Sequence, residues 1–121
     1  MTIENLNKNG THIAVVSSDK AMINDAASAL DLMMSVKYET GADRIALSKQ
    51  AVSDDFFILS TGLAGEILQK FINYHMKLAV YGDFSQYTSK PLKDFIYESN
   101  CGKDIFFVDT KEEAIRRLSG Q

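Results

Sequence analysis

The fold is decided by the stretch LSTGLAGEIL, residues 59–68, in which an irregular segment turns into a helix. Two hydroxyl residues, Ser60 and Thr61, precede Gly62, and hydroxyl residues at such a position commonly bind the free N–H groups of a first helical turn. From Leu63 onward apolar residues recur every three or four positions, which is typical of a helix that packs on a core. The predicted apolar face comprises Leu63, Ala64, Ile67, Leu68, Phe71 and Ile72.

Strand and helix patterns alternate on both sides of this stretch. Asn9-Gly10 predicts a tight turn that joins residues 2–7 to a first core strand. Short apolar runs bounded by polar residues predict core strands at residues 11–17, 44–47, 78–81 and 105–108. Alternation of this kind implies right-handed crossovers and a mostly parallel sheet. We therefore expect a single α/β domain over residues 1–121, with an N-terminal β-hairpin followed by a four-turn β/α superhelix.

The first and last helices have recognisable starts. Asn24 or Asp25 can cap a helix that runs to about Lys37. Thr110 with Glu113 fits a capping box that opens the last helix. The core face predicted for the first helix comprises Ala26, Leu30, Met33 and Met34, with Lys37 at the next position of the spacing.

The segment before the central helix, residues 50–59, is longer than a usual strand-to-helix connection. Phe56, Phe57, Ile58 and Leu59 make it too apolar for a solvated linker. Either these side chains pack over the core as a short helical turn, or they form an exposed patch that contacts a partner.

Composition and charge argue against several classes of protein. Thirteen basic against sixteen acidic residues give a net charge of -3, so nucleic acid is not an expected partner. No apolar run approaches the roughly 20 residues of a membrane span. The single cysteine, Cys101, fits a cytoplasmic protein. His12 and His75 lie far apart, and no glycine-rich nucleotide motif follows a strand, so we expect no metal and no cofactor.

Two groups of motifs resemble known families. Residues 60–68 resemble the loop-and-helix signature of STAS domains, which occur in sulfate transporters and anti-sigma-factor antagonists. GDFSQYTSK at residues 82–90, continued by LKDFIYESN at residues 92–100, is similar to a bacterial family described as domain of unknown function 4180. ALDLM at residues 29–33 and YETG at residues 38–41 add to that similarity, which covers nearly the whole chain. The first resemblance implies a STAS-like fold.

The STAS resemblance also implies a phosphoacceptor at Thr61, the hydroxyl residue before Gly62, with Ser60 beside it. Leu59 stands where those proteins carry an acidic residue. Because of this difference, the resemblance implies a partner-binding module of that shape more directly than it implies a phosphate switch. From the residues alone, the hydroxyls either cap the helix or present an anion site at its N-terminus. Asp54, Asp55 and Glu66 lie close in sequence, so an added phosphate would act by repulsion of a partner.

A polar loop follows the third core strand and opens at its carboxyl end, where ligands usually bind in open α/β sheets. Hydroxyl groups with a lysine suit a phosphate or carboxylate, whereas the plainer interpretation is a solvated turn with a helix cap. Asp83 either orients these groups or forms the turn. The candidate residues in the loop are Ser85, Tyr87, Thr88, Ser89 and Lys90.

Two further candidates lie near the end of the third helix. Tyr97 falls off the apolar stripe, and Asn100 stands at the helix terminus. They either face a partner or pack at the end of the helix. Because no nucleophile stands near a histidine in the sequence, enzymatic activity is uncertain and a non-catalytic role is favoured.

Three functions stay open at this point. The favoured one is a cytoplasmic regulatory module that binds another protein or a copy of itself through Asp54, Ser60, Thr61 and residues 85–90. The alternative is a binder of a small anionic ligand, or a weak enzyme, that uses residues 85–90 together with the two hydroxyls. The third is a structural domain that dimerises through residues 56–59.

Overall fold

One sheet organises the molecule, and its strands lie side by side in chain order. The structure is a computed structural model that describes residues 1–120. The first two strands are antiparallel and every later pair is parallel. Within the described residues the strands are β1 (Thr2–Lys8), β2 (Thr11–Ser17), β3 (Arg44–Ser48), β4 (Lys77–Tyr81) and β5 (Ile105–Val108).

Helices cover both faces of this sheet. The buried side chains of the first three helices join the core on one face, and those of the last helix join the core on the other. The helices found in residues 1–120 are α1 (Ala26–Thr40), α2 (Leu63–Asn73), α3 (Lys90–Cys101) and α4 (Lys111–Leu118). The predicted α/β class, N-terminal hairpin and mostly parallel sheet are confirmed.

The hairpin turn forms as the Asn9-Gly10 pair predicts. Both residues have positive φ, +55° for Asn9 and +85° for Gly10, which is the backbone that a two-residue hairpin turn requires. The Gly10 N–H also donates to the side-chain oxygen of Asn7 at 3.0 Å. The turn therefore sets the register in which Lys8 lies opposite Thr11.

Side-chain caps start the first and last helices. Asp25, one of the two predicted caps, accepts a hydrogen bond from the Ser28 N–H at 2.8 Å, which lowers the pKa of the Asp25 carboxyl. The Thr110 hydroxyl accepts from the Glu113 N–H at 3.1 Å. The Glu113 carboxylate, however, pairs with Arg116 on the next turn. The predicted cap of α4 is confirmed, and the side-chain half of its capping box is replaced by an ion pair.

The core face predicted for α1 was wrong by one position. Met34 is 42% exposed, and Leu30 only borders the core. Two apolar stripes overlap on this helix, and the observed stripe has an apolar residue at every position, whereas the predicted one continues to the charged Lys37. The buried residues of α1 are Ala29, Leu32, Met33 and Val36.

Residues 49–62, which we call the β3–α2 connection, form three short 3₁₀ turns: Lys49–Ala51, Asp54–Phe57 and Leu59–Thr61. Phe56 and Phe57 are 1% and 5% exposed, so packing over the core is the confirmed alternative. The exposed four-residue patch was wrong, because only Ile58 in this group is strongly exposed, at 51%. Dimerisation through residues 56–59 therefore lacks the apolar surface that it required.

The free edge of β5 is closed by a side chain from α3. The Asn100 amide nitrogen donates to the Phe107 carbonyl at 3.0 Å, and the Asn100 oxygen accepts from the Phe107 N–H at 2.7 Å. Asn100 thereby takes the place of a neighbouring strand at this residue. Arg117 of α4 donates to the Asn100 carbonyl and holds the helix end in place.

Replacing Asn100 with alanine should lower the free energy of unfolding by roughly 1–3 kcal/mol, because the N–H and C=O of Phe107, which is 3% exposed, would each lose their partner. Urea unfolding followed by circular dichroism measures the loss. Asn73→Ala is the matched control, since Asn73 is exposed and bonds only Gln69 among the described residues. Equal losses in the two variants would contradict the proposed closure of the edge.

Candidate functional site

The carboxyl ends of the parallel strands meet at one edge of the sheet and place polar residues there. Ser48 ends β3 and Lys49 follows it, and Gly82 and Asp83 follow β4. Ligands of open α/β sheets bind outside this edge, because the connections to the following helices open there. The edge is therefore the first place to look for function.

Neighbouring depressions line this edge and share residues. One has a volume of about 300 Å³, and a second, of about 410 Å³, shares Asp54 and Gln86 with it. We call the two together the carboxyl-edge furrow. Its lining is Ser48, Lys49, Gln50, Asp54, Phe57, Ile58, Tyr81, Gly82, Asp83, Gln86, Tyr87, Thr88, Ser89 and Leu92. The β3–α2 connection forms one wall, and residues 82–89, the β4–α3 loop, form the other.

Aromatic contacts hold these two walls together. The Phe57 ring stacks on Tyr87 with 5.0 Å between centroids and 20° between planes. Phe57 also lies 5.8 Å from Phe84, which meets Phe107 of β5 edge-on at 5.9 Å. Ring pairs at these distances attract beyond their burial of apolar area. These ring contacts therefore join the two irregular segments that form the walls of the furrow.

Lys49 lies within this aromatic frame. Its Nζ is 4.8 Å from the centroid of Tyr87 and 5.9 Å from that of Phe84, so both rings stabilise the ammonium group. The stem of Lys49 passes over Gly82, where an added Cβ would stand 2.7 Å from the Lys49 Cβ. A residue without a side chain at position 82 is therefore what lets Lys49 reach the furrow.

Hydrogen bonds and charge perturb two acidic groups of the furrow. The hydroxyl and N–H of Ser85, with a smaller contribution from the Lys49 ammonium, hold the pKa of the Asp83 carboxyl below its ordinary value. Burial raises the pKa of Tyr81, and Glu112 and Glu4 raise it further. Asp83 therefore stays charged and Tyr81 stays neutral at physiological pH.

Thr61 and Ser60 lie at the end of the β3–α2 connection, outside the furrow lining. The Thr61 hydroxyl donates towards the carbonyls of Ile58, at 2.8 Å, and Asp55, at 3.1 Å. It also accepts from the Leu63 N–H at 3.1 Å. Thr61 therefore ties the last 3₁₀ turn to the start of α2. Ser60 is exposed, and within residues 1–120 its hydroxyl has no hydrogen-bond partner.

The predicted loop residues divide between the furrow and the start of α3. Tyr87, Thr88 and Ser89 line the furrow together with Asp54 of the opposite wall. Ser89 also caps α3 by accepting from the Leu92 N–H at 3.4 Å. Lys90 is turned away, since its Nζ pairs with Asp94 one helical turn later at 2.6 Å.

Comparison with models of protein families identifies the family of the whole chain. A model described as "Domain of unknown function (DUF4180)" matches residues 8–118. The chain belongs to the DUF4180 family. Comparison with curated proteins gave no match, and comparison with solved structures gave none either.

Other candidate residues of this DUF4180 chain lie away from the furrow. Tyr97 is 70% exposed on α3, and Asn100 faces β5. His12 and His75 are exposed at the opposite, amino-terminal edge of the parallel strands. Among residues 1–120 no three His, Cys, Asp or Glu side chains are grouped as metal ligands, and no helix there is long and apolar enough to cross a membrane.

Sequence reasoning missed Lys49 and Gln50 as furrow residues, and it included Gln86 only as part of the range 85–90. The rule that selected the loop after β4 applies equally to the end of β3, where Lys49 stands. Applying it to every predicted strand would have found Lys49. The pairing of Phe57 with Tyr87 has no local signal, since the two residues are 30 positions apart in the chain.

Replacing Gly82 with alanine should destabilise the DUF4180 domain by roughly 1–3 kcal/mol, because the new methyl group would overlap the Lys49 stem. The matched control is Gly65→Ala on the exposed side of α2, where nothing lies within 4 Å of an added Cβ. That change should stabilise the domain by about 0.5–1 kcal/mol. Thermal unfolding measures both, and destabilisation of the same size in both variants would contradict the close approach at Gly82.

The pKa of Asp83 provides a separate test of the loop geometry. In the wild type its carboxyl should titrate below the ordinary aspartate range, and Ser85→Ala should move the midpoint upward because the largest cause of the shift is removed. The stabilisation linked to this group is present above the unfolded-state pKa and lost as pH falls through the folded-state value. Carboxyl ¹³C NMR follows the titration, and an unchanged midpoint would contradict the contact.

Proposed function

We propose that this DUF4180 domain is a non-catalytic, cytoplasmic regulatory module that binds a segment of another protein along the carboxyl-edge furrow. The continuity of the furrow supports the proposal most. Two depressions of about 300 and 410 Å³ share Asp54 and Gln86, so they adjoin each other at this edge. Adjoining open depressions fit an extended peptide better than one compact ligand, which usually occupies a concave pocket that buries most of its surface.

The chemistry of the furrow supports a peptide of mixed character. Ile58 is 51% exposed at its rim and offers an apolar contact. Asp54 lies between the two depressions and attracts a basic side chain. Thr88 and Ser89 provide hydroxyl groups for backbone hydrogen bonds, while the Lys49 ammonium marks the other end. The expected segment therefore carries an apolar residue next to a basic one.

The positions of the histidines favour binding without catalysis. His12 stands near the start of β2, and His75 precedes β4. Both lie at the edge of the sheet opposite to the furrow, far from the hydroxyl groups of Thr88 and Ser89. General base catalysis needs the base within hydrogen-bond reach of the group it activates.

The turn before α2 is the STAS-like feature of the proposed module. An N-terminal hairpin, a β/α layout and a hydroxyl pair before Gly62 support a likeness of shape to those domains. Of the two hydroxyls, Ser60 is the better phosphoacceptor, because phosphate on Thr61 would break the hydrogen bonds to Ile58 and Asp55. Phosphate on Ser60 would add up to about two negative charges to the β3–α2 connection, which already carries Asp54 and Asp55, and would alter binding of a partner.

A small anionic ligand is the second candidate, and Lys49 is the observation that favours it. Lys49 lines the smaller depression with Ser48 and Gln50. Across residues 1–120 it forms no ion pair with a carboxylate. The carboxylates of Asp54 and Asp83 line the same depression and oppose an anion, so this candidate ranks below the peptide.

Photo-crosslinking in cells tests the proposed function. A benzoylphenylalanine at Gln86, which is exposed and belongs to both depressions, should crosslink a partner protein. The same group at Tyr38, 91% exposed on α1, is the control and should not. Asp54→Lys should abolish the Gln86 crosslink, and Ser60→Glu should reduce it, whereas Asp31→Lys on α1 should leave it unchanged.

Crosslinks of equal yield from Gln86 and Tyr38, or none from Gln86, would contradict the peptide proposal. An NMR titration with inorganic phosphate separates the second candidate. Amide shifts at Ser48, Lys49 and Gln50 that disappear in Lys49→Gln would favour the anion site. Shifts spread over the whole surface would rule it out.

A further inference from the structure

The two edges of the sheet differ in how they meet solvent. At β5 the outward N–H and C=O of Phe107 are occupied by Asn100. At the other edge, β1 is seven residues long and pairs only with β2. An edge strand with free N–H and C=O groups is a template for pairing with a further strand.

The hairpin register shows which residues of β1 face outward. Lys8 lies opposite Thr11 across a two-residue turn, and this pair is therefore hydrogen-bonded. Alternate residues then bond to β2, so the N–H and C=O groups of Ile3, Asn5 and Asn7 point away from it. Within the described part of the chain no other element bonds to these groups.

We propose that β1 pairs antiparallel with β1 of a second copy of this chain, about a twofold axis that passes beside Leu6. Asn5 of each copy would exchange backbone hydrogen bonds with Asn7 of the other. Leu6 would meet the second copy's Leu6, and Glu4 would lie opposite the second copy's Lys8. The sheet would then run unbroken through both copies.

Charge complementarity selects this register. A shift that places Asn5 opposite Asn5 separates Glu4 from Lys8 and sets Glu4 against Leu6. A further shift in the same direction places Glu4 directly opposite Glu4, and like charges at that position are destabilising. With Leu6 opposite Leu6, both acidic and both basic side chains find a partner of opposite charge.

The twofold axis also keeps the faces of the sheet in agreement. With an axis perpendicular to the sheet, the even-numbered side chains of β1 lie on the same face in both copies, and the odd-numbered ones lie on the other. Leu6 lies opposite Ile13 in β2 and packs against the core on the α4 face, so it adds an apolar contact to the joint. α1, α2 and α3 lie on the other face in both copies.

This self-association is independent of the proposed peptide function. It uses the outer edge of β1, whereas the furrow lies beyond the carboxyl ends of β3 and β4. The assembly mass tests the self-association, and the Gln86 crosslink tests the peptide function. Either proposal can therefore fail without the other.

Sedimentation velocity over a concentration series into the millimolar range tests the proposal. The wild type should show a species of twice the 13.5 kDa chain mass. Glu4→Lys should weaken dimerisation at least about tenfold, because two symmetry-related pairs become repulsive. The double variant Glu4→Lys with Lys8→Glu should restore it, and Glu98→Lys, the same charge change on exposed α3, should have no effect.

Asn5→Pro tests the backbone contact itself. Its N–H points outward, so proline should leave the hairpin intact while removing one hydrogen bond from each side of the joint. The Asn5→Pro monomer should keep the amide NMR spectrum of the wild-type monomer. The dimer should no longer form. A wild type that stays monomeric throughout the series, or a dimer that survives both Asn5→Pro and Glu4→Lys, would overturn the proposal.

Discussion

The stacking of Phe57 on Tyr87 is the contact on which the carboxyl edge depends. It joins the β3–α2 connection to the β4–α3 loop, two segments without long regular structure that would otherwise be free to move apart. Phe107 of β5 anchors the same cluster from below, with its ring 6.2 Å from Phe57. Because Lys49 rests on the Tyr87 ring, the position of its ammonium group in the smaller depression follows from this stack.

Local pattern was sufficient for the strands and for most helix ends. IFFV at residues 105–108 is apolar at every position, as a strand covered on both faces must be, and all four residues are buried. The pattern failed in α1, where Leu30 with Met34 and Leu32 with Val36 mark two overlapping apolar stripes. Only contact with the sheet and α2 decides between these stripes. Thr61 shows a second limit, since its hydroxyl reaches back to Asp55, six residues earlier, through a turn whose shape the sequence does not reveal.

The candidate site was also predicted only in part, because contacts between distant residues decide which side chains line it. Strand order placed the β4–α3 loop at the carboxyl edge, but composition did not show where the side chain of Lys90, the first residue of α3, would lie. Lys90 has Asp94 four residues later, a spacing that pairs charges on a helix, and this pair takes the lysine out of the furrow. The close approach of Lys49 to Gly82 links residues more than 30 positions apart, and such contacts depend on the register of β3 against β4.

The agreement between strand order and chain order has a consequence for synthesis on the ribosome. Each strand after the first finds its neighbour already made when it emerges, so the sheet can grow in one direction without waiting for a distant partner. The face of the sheet that α4 covers is completed last. Its apolar side chains, such as Ala46 of β3 and Ala79 of β4, stay uncovered until Leu118 has been added. A nascent chain that has completed β5 but not α4 therefore presents one uncovered apolar face of the sheet, a condition that favours aggregation.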